Sequence, residues 1–325
     1  MGDFDARFDV VGVGLNATDT VLTVEQFPAP GGKVPFTREF YSVGGQVATA
    51  MVACSRLGLR TKYIGTVGDD ERGRIQMESL RTSGIDIAHV RQRLNCPNQS
   101  AYIVVDGSTG ERTVFWHRPT CLTISPDEID PDQIACARLL HIDGHDTAAV
   151  EHAARIARGH GIPVTVDVDT IYPGFERVLP LVDYMIASSD FPAAWTGLED
   201  PLEALAAIQR RSGVRVAAMT LGQYGALAYS EGRFTYSPGF AVRCVDTTGA
   251  GDVFHGAFCY SVLQQMPIEG ALEFSNAMAA LNCMAQGARG AITAIDEVTN
   301  LVERGRRFEL LRDRHPTIAD RVEAR

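Results

Sequence analysis

The amino-acid sequence predicts an α/β protein: a doubly wound, mainly parallel sheet flanked by helices, with a small additional β-sheet. From Leu139 onward, strand-type and helix-type segments alternate, as in folds built from repeated strand–helix units. The segment Phe8 to Gly14 is rich in β-branched residues and ends in glycines, which is typical of a strand buried on both faces. Ser100 to Asp106 and Arg112 to Trp116 flank a Gly/Ser/Thr turn at 107–110 and predict a β-hairpin.

Local composition places the elements in chain order. β-Type residues at Thr20 to Val24 and Lys33 to Tyr41 surround a Pro/Gly-rich turn. Gly45 to Leu57 is small and apolar, with a basic last turn followed by Gly58, which predicts a helix. The remaining predictions are strand Tyr63 to Val67, strand Leu139 to Ile142, a helix to Arg158, strand Pro163 to Val168, strand Tyr184 to Ile186, helix Pro201 to Arg211, strand Val214 to Thr220, hairpin Ala226 to Tyr236, helices from about Gly251 and Glu269, and a solvated terminal helix from Glu303 to Arg325.

Two separated segments, 20–42 and 99–118, are predicted to form one small lid sheet, because the hairpin can pair with the earlier β-type residues. Residues 1–19, 43–98 and 119–325 then make up the large α/β domain. The lid leaves strand edges exposed, and exposed edges can pair with another chain. We therefore expect a homodimer formed through the lid.

Charge and hydropathy exclude several classes of protein. The 325 residues carry 30 basic and 40 acidic side chains, a net charge of −10, and lack the basic stripe that nucleic-acid binding needs. The start of the chain is acidic rather than apolar, and no apolar run is long enough to span a membrane. We expect a cytoplasmic protein without nucleic-acid or membrane partners.

The seven cysteines are odd in number and widely spread, with no C-x-x-C pair. This pattern predicts neither a disulfide framework nor a zinc site. Seven reduced thiols are the expectation.

A nucleotide site of the dinucleotide or P-loop type is not predicted. Gly12-Val13-Gly14-Leu15-Asn16-Ala17 fits the dinucleotide fingerprint, but strand-type residues follow where the fingerprint needs a helix. The P-loop pattern G-x-x-x-x-G-K-[ST] does not occur.

The segment from Val245 to Phe258 predicts a glycine-rich loop that leads into a buried helix. Such a helix start offers free N–H groups and a positive dipole end to an anion. Asp252 falls in the first turn, where it is either a functional carboxylate or an ordinary helix-capping aspartate.

Three segments in this chain carry a resemblance to a known family, and a fourth carries a resemblance to one of its branches. Residues 246–252, Asp-Thr-Thr-Gly-Ala-Gly-Asp, resemble the second signature of the ribokinase-like (PfkB) carbohydrate kinases, D-T-x-G-A-G-D. Residues 14–19 resemble the sugar-binding opening of that family, and residues 44–58 its first glycine signature, in the same order along the chain. Residues 139–146 look most like the ketohexokinase and sulfofructose kinase branch.

The resemblance implies a role for each matching residue. Asp252 is the base for the attacking hydroxyl, and Gly249, Ala250 and Gly251 form an anion hole, which suits a reaction that depends on positioning and charge neutralisation. The sugar is implied to contact Asn16, Asp19, Gly44, Gly45, Thr49, Tyr102, Arg118 and Asp143. The nucleotide is implied to contact Ser188, Thr220, Gly222, Gly225, Asn276, Ala280 and Gly287. Mg²⁺ is expected at Asp167, Asp169 and Asp190, and K⁺ at Asp246 and Thr248.

Two positions depart from the family pattern. Thr49 stands where many members have a sugar-contacting Asn, which puts ribose specificity in question. The N-x-x-E motif is replaced by Ser188-Ser189-Asp190-Phe191, so Ser188 and Asp190 would have to take over magnesium and phosphate handling.

Three roles stay open at single residues. Arg118 is either a reader of a substrate phosphate or sulfonate, or an exposed residue beside a turn proline. Asp167 and Asp169 are either magnesium ligands or a solvated pair at a strand end.

The predicted function is that of an ATP-dependent kinase that phosphorylates a hydroxymethyl group of a sugar, preferably a ketose such as fructose or a close derivative. ATP and Mg²⁺ are the implied cofactors, with K⁺ beside the anion hole. A nucleoside kinase on the same scaffold and a non-catalytic sugar-binding regulatory protein are the alternatives.

Overall fold

The computed structural model describes residues 7–108, 112–308 and 318–319. The strands of this part are β1 Phe8–Val13, β2 Ala17–Val24, β3 Phe36–Gly44, β4 Thr61–Ile64, β5 Thr66–Gly68, β6 Arg91–Arg93, β7 Ser100–Asp106, β8 Arg112–His117, β9 Ala137–Ile142, β10 Val164–Val168, β11 Tyr184–Ala187, β12 Val216–Thr220, β13 Ala226–Ser230 and β14 Arg233–Ser237. The α-helices are α1 Gln46–Arg56, α2 Glu71–Thr82, α3 Pro131–Ala135, α4 Thr147–Gly159, α5 Phe175–Val178, α6 Phe191–Thr196, α7 Pro201–Ser212, α8 Ala250–Leu263, α9 Ile268–Asn282 and α10 Ile295–Arg304.

The central sheet has the strand order β14-β13-β12-β11-β10-β9-β1-β4. The six strands from β12 to β4 are parallel, with Val10 opposite Leu139 and Val166 opposite Met185, and only β13 and β14 run antiparallel. The predicted fold class is therefore confirmed.

Helices cover both faces of this sheet because its strands are apolar on both sides. Val11 faces a core formed with α4, α5 and α7. Its neighbour Val10 points the other way, into a core shared with α1 and α8. Helix α8, which begins at the glycine-rich loop, also packs between the sheet and α9.

A second, four-stranded sheet has the order β3-β2-β7-β8 and is called the small sheet below. β2 runs antiparallel to β3 and parallel to β7, and β7 runs antiparallel to β8, so the predicted pairing of the hairpin with the earlier segment is confirmed. The sheet extends from Ala17 to Gly44, beyond the predicted boundaries at 20 and 42. Residues 109 and 110 of the predicted hairpin turn lie outside the described residues.

Strand β8 is exposed along its whole length. Phe115 is 57% exposed and Trp116 is 64% exposed. The small sheet thus presents aromatic surface to solvent.

The predicted strand Tyr63 to Val67 is broken at Gly65. β4 belongs to the central sheet, whereas β5 pairs with β6 in a two-stranded sheet. A Cβ at Gly65 would lie 2.2 Å from the Tyr63 hydroxyl oxygen, so the break falls at a residue that must lack a side chain. The third strand also lies later than predicted, at Phe36–Gly44.

The predicted solvated terminal helix from Glu303 to Arg325 is wrong beyond its first residues: Glu303 and Arg304 are the exposed end of α10, but residues 305–308 are not helical. After α10, Arg307 forms a β-bridge with Phe240, and the Phe308 amide donates to the Gly239 carbonyl (2.9 Å). Ile318 and Ala319 are fully buried. The apolar residues in this charged segment pack against the protein, while 309–317 and 320–325 lie outside the described residues.

The prediction of seven reduced thiols is also wrong. Cys96 and Cys121 form a disulfide across a sequence separation of 25 residues. The two cysteines flank the β7–β8 hairpin, which brings its own ends together, and sequence spacing does not display that proximity. The free thiols are Cys54, Cys136, Cys244, Cys259 and Cys283.

In the described ranges, no helix is both long and apolar enough to cross a membrane.

Candidate active site

A cavity of about 410 Å³ lies where β12, the start of α8 and α9 meet. Its volume falls within the range of small-molecule sites. The lining includes five residues predicted to bind nucleotide, together with two of the predicted anion hole: Thr220, Gly222, Gly225, Asn276, Ala280, Ala250 and Gly251. Ser188 and Gly287, which were predicted to join them, do not line it.

Glycine and a buried amide shape this cavity. Gly225 has a φ of 99°, and a Cβ there would lie 2.0 Å from the Ser237 carbonyl oxygen. The Asn276 amide nitrogen donates to the carbonyl and the hydroxyl of Ser237 (3.0 and 3.1 Å). Asn276 therefore fixes the cavity wall through contacts with the protein itself.

The start of α8 forms one end of the cavity. Gly249 has a φ of 73°, and a Cβ there would lie 2.3 Å from the Ala288 carbonyl oxygen, so only glycine fits. In the described part of the chain, the amides of Gly251 and Asp252 donate to no acceptor. Gly251 is exposed, with no atom within 4 Å of a Cβ built on it. The helix start is therefore open to an anionic ligand, as the sequence predicts.

Asp252 is half-buried in the first turn of α8. Burial raises the pKa of Asp252 to about 7, the negative charge of Asp167 adds to the rise, and the positive charge of Arg289 opposes it. A carboxylate with a pKa near neutrality is matched to proton transfer at physiological pH.

Asp19 and Gly44 lie together on paired strands of the small sheet. Asp19 Oδ1 accepts from the Ala101 amide (2.9 Å), while Oδ2 lies 3.5 Å from the position of a Cβ on Gly44. Burial raises the pKa of Asp19 to about 6. Gly45 has a φ of 94°, and its missing Cβ would lie 2.3 Å from the Asn16 Cα.

Two predicted sugar contacts serve the protein interior in this structure. The Asn16 amide nitrogen donates to the Tyr63 hydroxyl and the Thr66 carbonyl (3.0 and 2.6 Å). Asp143 is fully buried, and its oxygens accept from the amides of Leu15 (2.6 Å) and His145 (3.1 Å). Both side chains hold the loop that leads to Asp19 in place. The motif did not predict this positioning role.

Arg118 is neither exposed nor available as a free cation. Its guanidinium is partly buried, lies 2.5 Å from the Asp146 carboxylate, and also donates to the Gln99 side chain and the Leu122 carbonyl (both 3.1 Å). Its charge is thus already paired within the protein.

Two other predicted sugar contacts differ in exposure. Tyr102 is 50% exposed, with the Arg72 guanidinium 5.1 Å from its ring centre. Thr49 is fully buried.

The three predicted magnesium ligands separate into two kinds. Asp167 is buried and pairs with His255 Nε2 at 3.1 Å. Asp169 and Asp190 are exposed at the carboxyl ends of the neighbouring strands β10 and β11. Among the described residues, no group of three or more His, Cys, Asp or Glu side chains is arranged to hold a metal ion.

Asp246 links two loops of the site. Its Oδ1 accepts from the Thr248 amide (2.8 Å) and its Oδ2 accepts from the Gly287 amide (2.9 Å). Gly287 thus supports the glycine-rich loop rather than the cavity wall.

Two arginines of the site have no motif that would have revealed them. Arg112 on β8 donates to the hydroxyls of Thr247 and Thr248 (2.9 and 3.2 Å) and lines the cavity. Arg289, after α9, contacts Thr49 and the Gly44 carbonyl. Both are single basic residues whose place in the site depends on the fold.

Known proteins are similar to this chain over most of its length. Residues 7–295 match the family described as pfkB family carbohydrate kinase. An ATP-dependent ribose-1-phosphate kinase from Halopiger xanaduensis is 31% identical over 304 residues, which cover 91% of this chain and 98% of that protein. A ribokinase from Haemophilus influenzae is 27% identical, covering 89% and 96%.

A solved structure shares the fold. Arabidopsis thaliana ribokinase in complex with ribose and ATP superposes with a TM-score of 0.80 at 23% identity, covering 91% of this chain and 99% of that one.

Proposed function

The chain belongs to the pfkB family of carbohydrate kinases and is an ATP-dependent sugar kinase, and on that premise we propose that Asp252 is the base that activates a hydroxymethyl group of the sugar. The observation that carries this proposal is the start of α8, where a carboxylate with a raised pKa and unpaired backbone amides lie beside the cavity.

The transfer follows from these groups. The hydroxymethyl O–H gives its proton to the Asp252 carboxylate, and the oxygen bonds to the γ-phosphorus of ATP. The bond from that phosphorus to the β–γ bridging oxygen breaks, and ADP leaves. The amides at the start of α8 stabilise the charge on the phosphoryl oxygens.

Asp169 and Asp190 are the residues that we propose for Mg²⁺. Both are exposed carboxylates, the hard oxygen donors that Mg²⁺ prefers, and one or two such groups suffice when phosphates supply the other ligands. The Asp167 carboxylate already pairs with His255 Nε2, so we do not propose it as a ligand. When bound, the ion supplies positive charge to the phosphate oxygens. For K⁺ we propose the loop that Asp246 and Thr248 hold together.

The proposed substrate is a sugar with a hydroxymethyl group: a ketose such as fructose, or ribose or its 1-phosphate, which the names of the two relatives suggest. Asp19 supports this class, because its Oδ2 is an acceptor for sugar hydroxyls.

We further propose that the small sheet is a lid and a dimer surface. Arg112 already reaches from β8 to the glycine-rich loop, and closure at this point would exclude water from the transfer. A homodimer would cover the exposed aromatic residues of β8. We propose a cytoplasmic location because ATP is the phosphoryl donor.

The proposal is tested by ADP release from ATP, Mg²⁺ and K⁺ with a panel of ketoses, aldoses, sugar phosphates, sugar acids and nucleosides. We expect sugar-dependent release that Asp252→Asn lowers by roughly 10²- to 10⁴-fold, the usual contribution of a general base. The variant should still bind sugar, because the substitution keeps the size of the side chain.

Asp190→Asn is the matched control, because it also removes one carboxylate but not the one that accepts the proton. It should mainly raise the Mg²⁺ concentration needed for half-maximal turnover. Unchanged turnover in Asp252→Asn would remove Asp252 from the mechanism. Sugar binding without turnover in the wild type would favour the non-catalytic alternative, and release with nucleosides alone would favour a nucleoside kinase.

A further inference from the structure

Arg289 lies between the predicted sugar-binding residues and helix α2. Its Nε donates to Thr49 Oγ1 (3.1 Å), Nη1 donates to Ser79 Oγ (2.9 Å) and Nη2 donates to the Gly44 carbonyl (3.0 Å). With its amide oriented to satisfy its neighbours, Gln76 also accepts from Nη2 (3.0 Å). All four acceptors are neutral hydroxyl, carbonyl or amide oxygens.

Among the described residues no carboxylate forms an ion pair with Arg289, although the negative charges of Asp252 and Asp19 act on its guanidinium from farther away. Arg118 is the contrasting case, since Asp146 pairs with its guanidinium. Burial lowers the pKa of Arg289 to about 10, which still leaves the group charged at neutral pH. A charge taken out of water without a directly hydrogen-bonded counter-ion is costly, so an anion that a ligand brings into contact with the guanidinium would be favoured here.

The position of Arg289 points to the sugar rather than to ATP. Its partners Gly44 and Thr49 belong to the predicted sugar site, and Arg289 is not part of the lining of the 410 Å³ cavity. Thr49 is fully buried, whereas Arg289 retains exposed surface. Of these two side chains, a ligand can therefore reach the Arg289 guanidinium and not the Thr49 hydroxyl.

The Arg289 guanidinium has one more N–H group than it has acceptors within the described part of the protein, and this group is available to such a ligand. A guanidinium has five N–H groups. Four donate to the neutral acceptors described above, so one N–H of Nη1 has no acceptor among the described residues. Charge-assisted bonds of this kind to phosphate or carboxylate are stronger than bonds between neutral groups.

We infer that Arg289 is a specificity-determining residue whose guanidinium binds an anionic group, a phosphate or a carboxylate, carried by the sugar away from the hydroxymethyl that is phosphorylated. The inference rests on the proposed function and narrows its substrate class to sugar phosphates or sugar acids.

A bracing role for Arg289 makes a different prediction. If Arg289 only holds Gly44 and Thr49 against α2, its removal affects neutral and anionic sugars alike. If it binds an anion, its removal affects only the charged members of matched substrate pairs.

The test measures kcat/KM for three matched pairs: ribose and ribose 1-phosphate, fructose and fructose 1-phosphate, and glucitol and gluconate. The first two pairs probe a phosphate and the third probes a carboxylate. Wild type, Arg289→Gln and Arg289→Lys are compared with the control Arg81→Gln, which removes the same charge from an exposed position on α2.

We expect wild type to prefer the anionic member of at least one pair by about 10- to 100-fold, the range for a hydrogen bond to a charged group. Arg289→Gln should remove that preference while changing the neutral member by less than about 3-fold. Arg289→Lys should keep part of it, and Arg81→Gln all of it. A wild-type enzyme that uses the neutral members equally well, or an Arg289→Gln variant that loses both alike, would overturn the inference.

Binding measurements separate this inference from the proposed function. If no pair member is phosphorylated, the proposed substrate class fails, and calorimetric titration of the same sugars then decides the role of Arg289. If the wild type binds an anionic member and Arg289→Gln does not, the inference is supported. If the wild type binds no anionic member, the inference is refuted. If Arg289→Gln does not fold, the wild-type preference and Arg289→Lys carry the test.

Discussion

At the scale of single residues, the candidate site concentrates negative charge around the carboxylate that we propose as the base. Asp252 is surrounded by Asp167 and Asp169, whose charges raise its pKa in addition to burial, while Arg289 provides an opposing charge. The arrangement keeps Asp252 near the point where it exchanges a proton at neutral pH.

This arrangement predicts a pH-dependent stability. The folded-state pKa of Asp252, about 7, lies above its unfolded value of about 4, so the folded state loses stability as pH rises from about 4 to 7. The side chain of the Asp252→Asn variant cannot ionise, so the variant does not lose stability over this pH range. Its amide resembles the protonated carboxyl of the wild type. At pH 8 we expect the unfolding free energy of the variant to exceed that of the wild type by roughly 1 to 2 kcal/mol. This is less than the full pKa shift would give, because solvent screens the charge of a half-buried residue.

Urea unfolding at pH 5 and pH 8 checks this expectation. The advantage of Asp252→Asn should shrink at pH 5, where more of the wild-type carboxyl is protonated. An equal difference at both pH values would show that ionisation of Asp252 does not cost the folded state stability.

The sequence predicts site roles only for residues that belong to a contiguous motif. Asp252 and Gly249 belong to such a motif. Arg289, Arg112 and the pairing of Arg118 with Asp146 depend on contacts between distant segments, and no local pattern displays them.

At the scale of elements, the start of α8 uses its two glycines for different reasons. Gly249 has a positive φ and sits against the Ala288 carbonyl. Gly251 has open space where a side chain would be. Gly249 thus serves the fold, and Gly251 is the one that we propose to leave room for a ligand.

These two positions should therefore respond differently to alanine. We expect Gly249→Ala to lower the unfolding free energy by about 1 to 3 kcal/mol, because the methyl group meets backbone. Gly251→Ala should fold as well as wild type but raise the KM for ATP, since its methyl group occupies cavity space.

Chemical denaturation and ATP kinetics on both variants provide the measurement, and each variant is the control for the other. An unchanged KM in Gly251→Ala would separate this residue from the ATP site.

Element prediction succeeded where a pattern was strong and local. The hairpin and the strand–helix units follow from periodicity and turn residues. The break at Gly65 depends on the close approach of the Tyr63 ring. Helix α2 had no prediction because it is mostly polar and buries only Gly73, Gln76 and Leu80, so no apolar periodicity marks it.

At the scale of the whole molecule, the small sheet combines the proposed sugar side of the site with exposed strand edges. Asp19 lies on β2, in the interior of the sheet, whereas β3 and β8 are its edges. The same element can therefore bind substrate and meet a second chain.

Light scattering tests the proposed dimer. We expect a wild-type mass of about twice the 35.2 kDa of one chain and a shift toward one chain in Trp116→Glu, because a charge in the interface is unpaired. Leu94→Glu introduces the same charge at a residue that is 78% exposed outside the small sheet, and it should leave the mass unchanged. A wild-type monomer at micromolar concentration would contradict the dimer.

The Cys96–Cys121 bond closes a covalent ring around the whole β7–β8 hairpin. A protease that cuts once anywhere between these cysteines would produce two fragments that stay joined. Such nicked protein would migrate as an intact chain in a denaturing gel without reductant and separate into two bands once reductant is added.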